Sequence, residues 1–254
     1  MKTITPSAVL RARALDALKA TWPTVLAGSA VINLVSYVLN QAVGVIPVVG
    51  SFLTFLVTAV LTIPMMGLTK GVMGYFRGKP LTFDCIRSML PHAWKIILLY
   101  LWTMLCLLVW MLPGMGGMVT GVMMAGIGQK LPVLGILGGL TGIAGVAAMI
   151  VLPLMAAFSY SMNNCILIDD PATPVRDVTK KSKAMMQGYR WHYVKVSLPV
   201  FIIIFVVIFI IGALTAALPG WLASLISSVM SVFSGMLSYY FTPVMYEELR
   251  RIGR

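Results

Sequence analysis

The chain has 254 residues, 59% of them hydrophobic and only 10% charged, with a mean hydropathy of +0.95. That leaves too little polar surface for a water-soluble globule and marks an integral membrane protein. The net charge of +12 would suit nucleic acid, but the Lys and Arg residues flank apolar runs with few aromatics among them. They read as positive-inside flanks, and no nucleic-acid partner is expected.

Taken in order, the first residues, MKTITPSAVLRARALDALKATW, are basic but lack a short apolar core with a small-residue cleavage site, so no cleaved signal peptide is expected. Apolar spans follow from Trp22 to Pro47, Val48 to Tyr75, Ala93 to Leu112, Leu131 to Ile168, Val194 to Leu218 and Trp221 to Tyr246. The expected fold is therefore an all-α integral membrane domain of six transmembrane helices. Basic residues surround the first span's start, the connection between the second and third, the centre of the chain and its end, while the turns at Val45 to Gly50 and Ala213 to Gly220 carry no charge. Both termini are thus expected inside.

Glycine interrupts this scheme between Met111 and Lys130, MLPGMGGMVTGVMMAGIGQK. This apolar segment could form an outer-face helix, a re-entrant loop or a seventh span. A full crossing would put Lys130 inside and break the charge pattern, which favours a short outer-face or re-entrant element.

The tryptophans align an internal repeat. Thr5-Pro6 leads to Trp22, Lys79-Pro80-Leu81-Thr82 to Trp94, and Thr173-Pro174 to Trp191; each tryptophan opens a pair of spans whose second member carries Pro64, Pro153 or Pro243. This predicts three helical hairpins, each preceded by a cytoplasmic amphipathic helix, over residues 1–78, 79–168 and 169–254 of a single membrane domain.

Ile166 to His192 is the most densely charged stretch between the termini. Thr173 and Pro174 predict a helix start and Gly188 its end; Val175, Val178, Met185 and Tyr189 share one side, with Arg176, Lys180 and Lys183 on another. Such a helix lies on the inner surface with its basic side toward anionic head groups, and Trp191 sits at head-group level. Asp169, Asp170, Arg176, Lys180, Lys181, Lys183, Arg190 and Trp191 are accordingly the candidate contacts for a head group or a cytoplasmic partner. Asp169 and Asp170, before Pro171, could hold a cation but also make an ordinary turn.

Polar residues inside the spans are few. Asn33, Tyr37, Asn40 and Gln41 on the first span, and Tyr160, Asn163 and Asn164 on the fourth, could line a ligand pocket or hydrogen-bond between helices. Glycines 135, 138, 139 and 142, with serines 227, 231, 234 and 238, read as packing faces. Met111, Met115, Met118, Met123 and Met124 suggest a Cu(I) site only weakly, without an outer His or Cys. No metal or cofactor motif, phosphate loop or nucleophile elbow is present, and Cys85, Cys106 and Cys165 show no paired spacing.

ILIDDP (Ile166 to Pro171), SKAMMQGYRW (Ser182 to Trp191) and YFTPVMYEEL (Tyr240 to Leu249) resemble the signature of domain-of-unknown-function family nine-seven-five, multi-pass bacterial membrane proteins. The resemblance covers roughly the last 90 residues, with the first half agreeing in hydropathy and tryptophan spacing. It implies the fold and a plasma-membrane location, but no activity. The expected function is non-enzymatic: binding or passing an amphipathic or apolar ligand such as a lipid or membrane-active peptide, in a permease-like or self-protection role. The alternative is an assembly subunit that docks a cytoplasmic protein partner. A lipid head-group enzyme acting through Asp169 and Asp170 ranks below both, for want of further convergent polar groups.

Overall fold

A computed structural model of the chain describes residues 4–44, 49–128, 131–215 and 219–253. Regular structure among them is entirely helical. Lipid offers the backbone no hydrogen bonds, so an apolar chain of this kind satisfies its N–H and C=O groups within each segment. The long helices are α1 (Ser7–Gly44), α2 (Val49–Phe76), α4 (Ala93–Ile127), α5 (Pro132–Tyr160), α8 (Arg190–Thr215) and α9 (Gly220–Ile252). Short helices α3 (Asp84–Arg87), α6 (Asn163–Asp169) and α7 (Val175–Met186) join them. Among the described residues, four stretches, Ser7–Val43, Phe52–Phe76, Asp84–Ile127 and Pro132–Asp169, are long and apolar enough to cross a bilayer. Their sides are open: Leu34, Ile136 and Ile143 are 62%, 66% and 70% exposed.

Buried side chains gather at one end. Leu10, Ala14, Val72, Met73, Ile96, Met162, Leu167, Val178, Met186, Val196 and Met245 form a single cluster there, drawn from the start of α1, α4 and α8, the ends of α2 and α9, and all of α6 and α7. Most of the chain's charge lies at the same end, so packing there fixes the helix ends to which the charged groups are attached.

Two expectations about helix limits are corrected. The basic stretch before Trp22 is no separate surface helix; α1 runs through it and through Pro23 as one 38-residue rod. Its amphipathic first turns bury Leu10, Ala14 and Ala17 against the bundle, which outweighs the one hydrogen bond Pro23 forgoes. The three segments ahead of Trp22, Trp94 and Trp191 therefore differ in form: continuous helix, a short helix plus a 3-10 turn over Leu90–His92, and the separate α7.

The glycine-rich segment from Met111 is likewise neither re-entrant nor a separate outer element; up to Ile127 it is the second half of α4. Gly114, Gly117 and Gly121 sit against α5 backbone to backbone. A Cβ added at Gly121 would meet the Gly142 nitrogen at 2.4 Å, one at Gly138 the Ala125 nitrogen at 2.4 Å, and one at Gly145 the Met118 nitrogen at 2.3 Å. Close approach along such a seam replaces side-chain packing by backbone contact and keeps the segment helical. Gly135, Gly138 and Gly142 thus occupy the expected packing face, while Gly139 faces open space. Lys130 and the side chains of serines 227, 231, 234 and 238 lie outside the described residues.

Candidate functional site

At the charged end, a turn after α2 brings Arg77 inward. Gly78, at φ +78, lets the chain reverse, with the Lys79 N–H donating to the Gly74 carbonyl at 2.9 Å. The Arg77 guanidinium then spans two helices: Nη1 and Nη2 donate to the Asp169 carboxylate at 2.6 and 2.9 Å, and Nε donates to Glu247 at 2.7 Å. Arg250 adds a second cation to Asp169 at 2.9 Å, and the Tyr246 hydroxyl donates to the same carboxylate at 2.9 Å. Burial pushes the Asp169 carboxyl up, but the Arg77 and Tyr246 hydrogen bonds and the two guanidinium charges outweigh it and hold it below the usual range. Both carboxylate oxygens are occupied, and the surroundings are cationic. Such an Asp ties helices together; it does not present an open site for a divalent ion.

Glu248 closes a second knot. Its buried carboxylate accepts from the Thr5 N–H at 3.0 Å, the Thr5 hydroxyl at 2.7 Å and Arg251 at 2.7 Å. Burial pushes this carboxyl up as well, and the bonds from Arg251 and Thr5 outweigh it, leaving it at about 2. The first and last described helices are thereby fastened to each other. Asp170, by contrast, is a local turn residue: it accepts from the Thr173 hydroxyl and the Ala172 N–H, and the Thr173 hydroxyl lowers its carboxyl below the ordinary value. Thr173 is thus spent on Asp170 and does not cap α7, whose first turn follows Pro174.

Helix α7 lies against α4 and α5. The Ser182 hydroxyl donates to the Ser159 carbonyl at 2.8 Å and Trp102 Nε1 donates to Thr179 at 3.3 Å. The buried side is Val178, Thr179, Ser182 and Met186, rotated from the expected one because these two hydroxyls find partners inside. Arg176, Lys180, Lys181 and Lys183 are exposed, and Gly188 reverses the chain at φ +83, as the sequence indicates.

Concavities among the described residues open around this end, and three of them bear on the site. One, of about 940 Å³, lies between the ends of α1, α2 and α9; its wall carries Arg13, Lys79 and Arg251 but also Asp16, Glu247 and Glu248, a balanced set. A second, of about 490 Å³, is bounded by Leu98, Leu101, Trp102 and Leu105 of α4 and by Val175 and Arg176 of α7. The third, of about 690 Å³, has Val151, Leu154, Met155 and Phe158 of α5 facing Val194 and Leu198 of α8, with Lys183, Gln187, Arg190 and Trp191 around its mouth. Lys183, Arg190 and Trp191, already candidates on sequence grounds, are thus brought to one rim. The apolar wall and the Arg77–Asp169–Glu247 and Thr5–Glu248–Arg251 networks were not foreseen, although Asp169, Tyr246, Glu247 and Glu248 lie within the motifs that carry the family resemblance.

The two polar groups of the spans do not meet. Asn33 Nδ2 donates to the Ser29 carbonyl at 2.8 Å, Asn40 Nδ2 to the Ser36 hydroxyl at 3.2 Å and Gln41 Nε2 to the Tyr37 hydroxyl at 3.2 Å, all within α1. Asn163 is buried and donates to Thr103 of α4 at 3.0 Å, while Asn164 is exposed and Tyr160 half-buried. None of these residues lines any of the three concavities. Met111, Met115, Met118, Met123 and Met124 are strung along one helix over about 20 Å by its 1.5 Å rise per residue, a spread that one metal ion could not bridge.

No curated protein and no solved structure matches the chain. A family does: the one described as "Protein of unknown function (DUF975)" matches residues 1–243, which include Arg77, Asp169 and every wall residue of the α5–α8 groove. The chain belongs to that family.

Proposed function

We propose that the protein is a non-enzymatic, six-span protein of a bacterial plasma membrane, both termini inside, that binds or passes an amphipathic ligand reaching it from the inner leaflet. The observation that carries this reading is the groove between α5 and α8, apolar along its walls and polar at its mouth. A molecule with a tail and a head has that same division. In this topology α8 and α9, of 26 and 33 residues, supply the fifth and sixth crossings, and the concentration of Lys and Arg puts the charged end in the cytoplasm. The binding role passes from Asn33, Asn40 and Asn163, whose amides donate to Ser29, Ser36 and Thr103, to Leu154, Met155, Phe158 and Leu198.

The test is native mass spectrometry of the full chain extracted gently from its host. A stoichiometric amphipathic mass, lipid or peptide, present on the wild type and absent from Met155→Trp, which fills the groove, supports the reading. A bare chain overturns it. A chain carrying only another protein would favour an assembly subunit instead, with the exposed basic side of α7 as its docking face.

A further inference from the structure

Charge distinguishes the α5–α8 groove from the large concavity at α1, α2 and α9. The mouth of the groove holds two cations, Lys183 and Arg190, and no acid among the described residues lines it, whereas the large concavity balances three cations with three acids. Five acids of this end are committed elsewhere: Asp169 to Arg77 and Arg250, Glu247 to Arg77, Glu248 to Arg251, Asp170 to Lys181, Asp177 to Lys180; Asp16 lies in the α1–α2–α9 concavity and Asp84 on α3, neither lining the groove. Neither Lys183 nor Arg190 stands in an ion pair among the described residues. The Arg190 Nε is moreover buried without a hydrogen-bond partner. A buried guanidinium N–H left in that state is destabilising, and a charged oxygen is the acceptor that best relieves it. Trp191 beside it is 78% exposed, an amphipathic ring suited to head-group level.

We propose that the ligand of this groove is an anionic phospholipid. Lys183 and Arg190 hold its phosphate, and an acyl chain lies along Val151, Leu154 and Met155. The proposal rests on the reading that the groove takes an amphipath, and adds its chemical class and orientation. The apolar wall selects lipid over a soluble phosphate ester, which would leave that wall uncovered.

The experiment uses the full chain, delipidated, reconstituted in nanodiscs of phosphatidylcholine containing a minority of phosphatidylglycerol, and re-extracted for native mass spectrometry. Phosphatidylglycerol is expected on the protein at about tenfold above its share of the bilayer: both lipids offer a phosphate, but Lys183 and Arg190 repel the choline cation that phosphatidylcholine brings with it, and tenfold requires a difference of only roughly 1.4 kcal/mol. Lys183→Gln with Arg190→Gln abolishes the enrichment while phosphatidylcholine is still retained; Lys183→Gln alone, on an exposed side chain, lowers it if the double variant does not accumulate. Lys180→Gln with Lys181→Gln removes the same charge outside the groove and leaves the enrichment intact.

Equal retention of the two lipids by the wild type overturns the proposal, as does an equal loss from the two double variants, which would mean a diffuse field over α7. In these two cases the amphipath reading survives as long as Met155→Trp, or Leu198→Trp from the opposite wall, empties the groove. Displacement by excess glycerol phosphate would make the ligand a soluble ester and overturn both the proposal and the amphipath reading. Lipid retained undiminished by either filled groove overturns that reading itself.

Discussion

Arg77 is the residue on which three helices converge, one guanidinium serving Asp169 of α6 and Glu247 of α9 from the end of α2. Arg77→Gln leaves two carboxylates facing each other with Arg250 as the remaining cation, and should destabilise the chain by about 1–3 kcal/mol in this half-exposed setting. Arg77→Lys should recover less than half of that, because a point charge cannot bridge both acids as the planar fork does; thermal unfolding in detergent measures both. Glu248 makes a pH-dependent contribution of definite sign. Its carboxyl titrates at about 2 when folded against an ordinary 4.5, so its stabilisation is complete above the unfolded value and is lost as pH falls from about 4.5 toward 2. The stability difference between wild type and Glu248→Gln should therefore shrink over that window and be constant above it. None of these pairings was legible in the sequence. Asp169 lies 92 residues from Arg77, and Glu248 lies 243 from Thr5; nothing local to either member marks its partner.

Local signals carry further at the scale of elements, and fail where tertiary contact overrides them. Gly188 announces the end of α7 and adopts the left-handed conformation that its position demands. Elsewhere local signals mislead: the basic stretch ahead of Trp22 reads as a separate surface helix and the glycine-rich segment from Met111 as a separate element, where α1 and α4 continue. The α4 glycines serve a neighbour, not a turn, and only the facing glycines of α5 reveal it. Gly121→Ala or Gly145→Ala drives a methyl group into backbone that cannot yield, and should cost about 1–3 kcal/mol or more through separation of the two helices. Gly116→Ala and Gly139→Ala have no neighbour within 4 Å at the added carbon and should be neutral or stabilising by up to about 1 kcal/mol. Denaturant unfolding of the four variants side by side separates seam from surface.

For the whole molecule, hydropathy and charge made the class and one-sided distribution of charge plain, because both depend on composition along the chain. The groove was hidden for the opposite reason: Met155 and Leu198 are ordinary span residues until α7 and the Gly188 turn bring Lys183 and Arg190 over them. The proposed orientation makes a direct prediction. In a background lacking Cys85, Cys106 and Cys165, an impermeant maleimide applied to intact cells should label Leu131→Cys and spare Lys79→Cys until the cells are opened; the reverse pattern would invert the protein. The contact between Thr5 and Glu248 also has a temporal side. At the 5–20 residues per second of ordinary synthesis, the 243 residues between them take roughly 12–50 s to produce. Throughout that interval the start of α1 has already left the ribosome while the carboxylate it will bind does not yet exist, so the Leu10–Ala14–Ala17 surface must wait uncovered or under the care of a chaperone. Final closure of the bundle awaits the synthesis of α9, and a nascent chain stalled before α9 should remain open to proteases at its first helix.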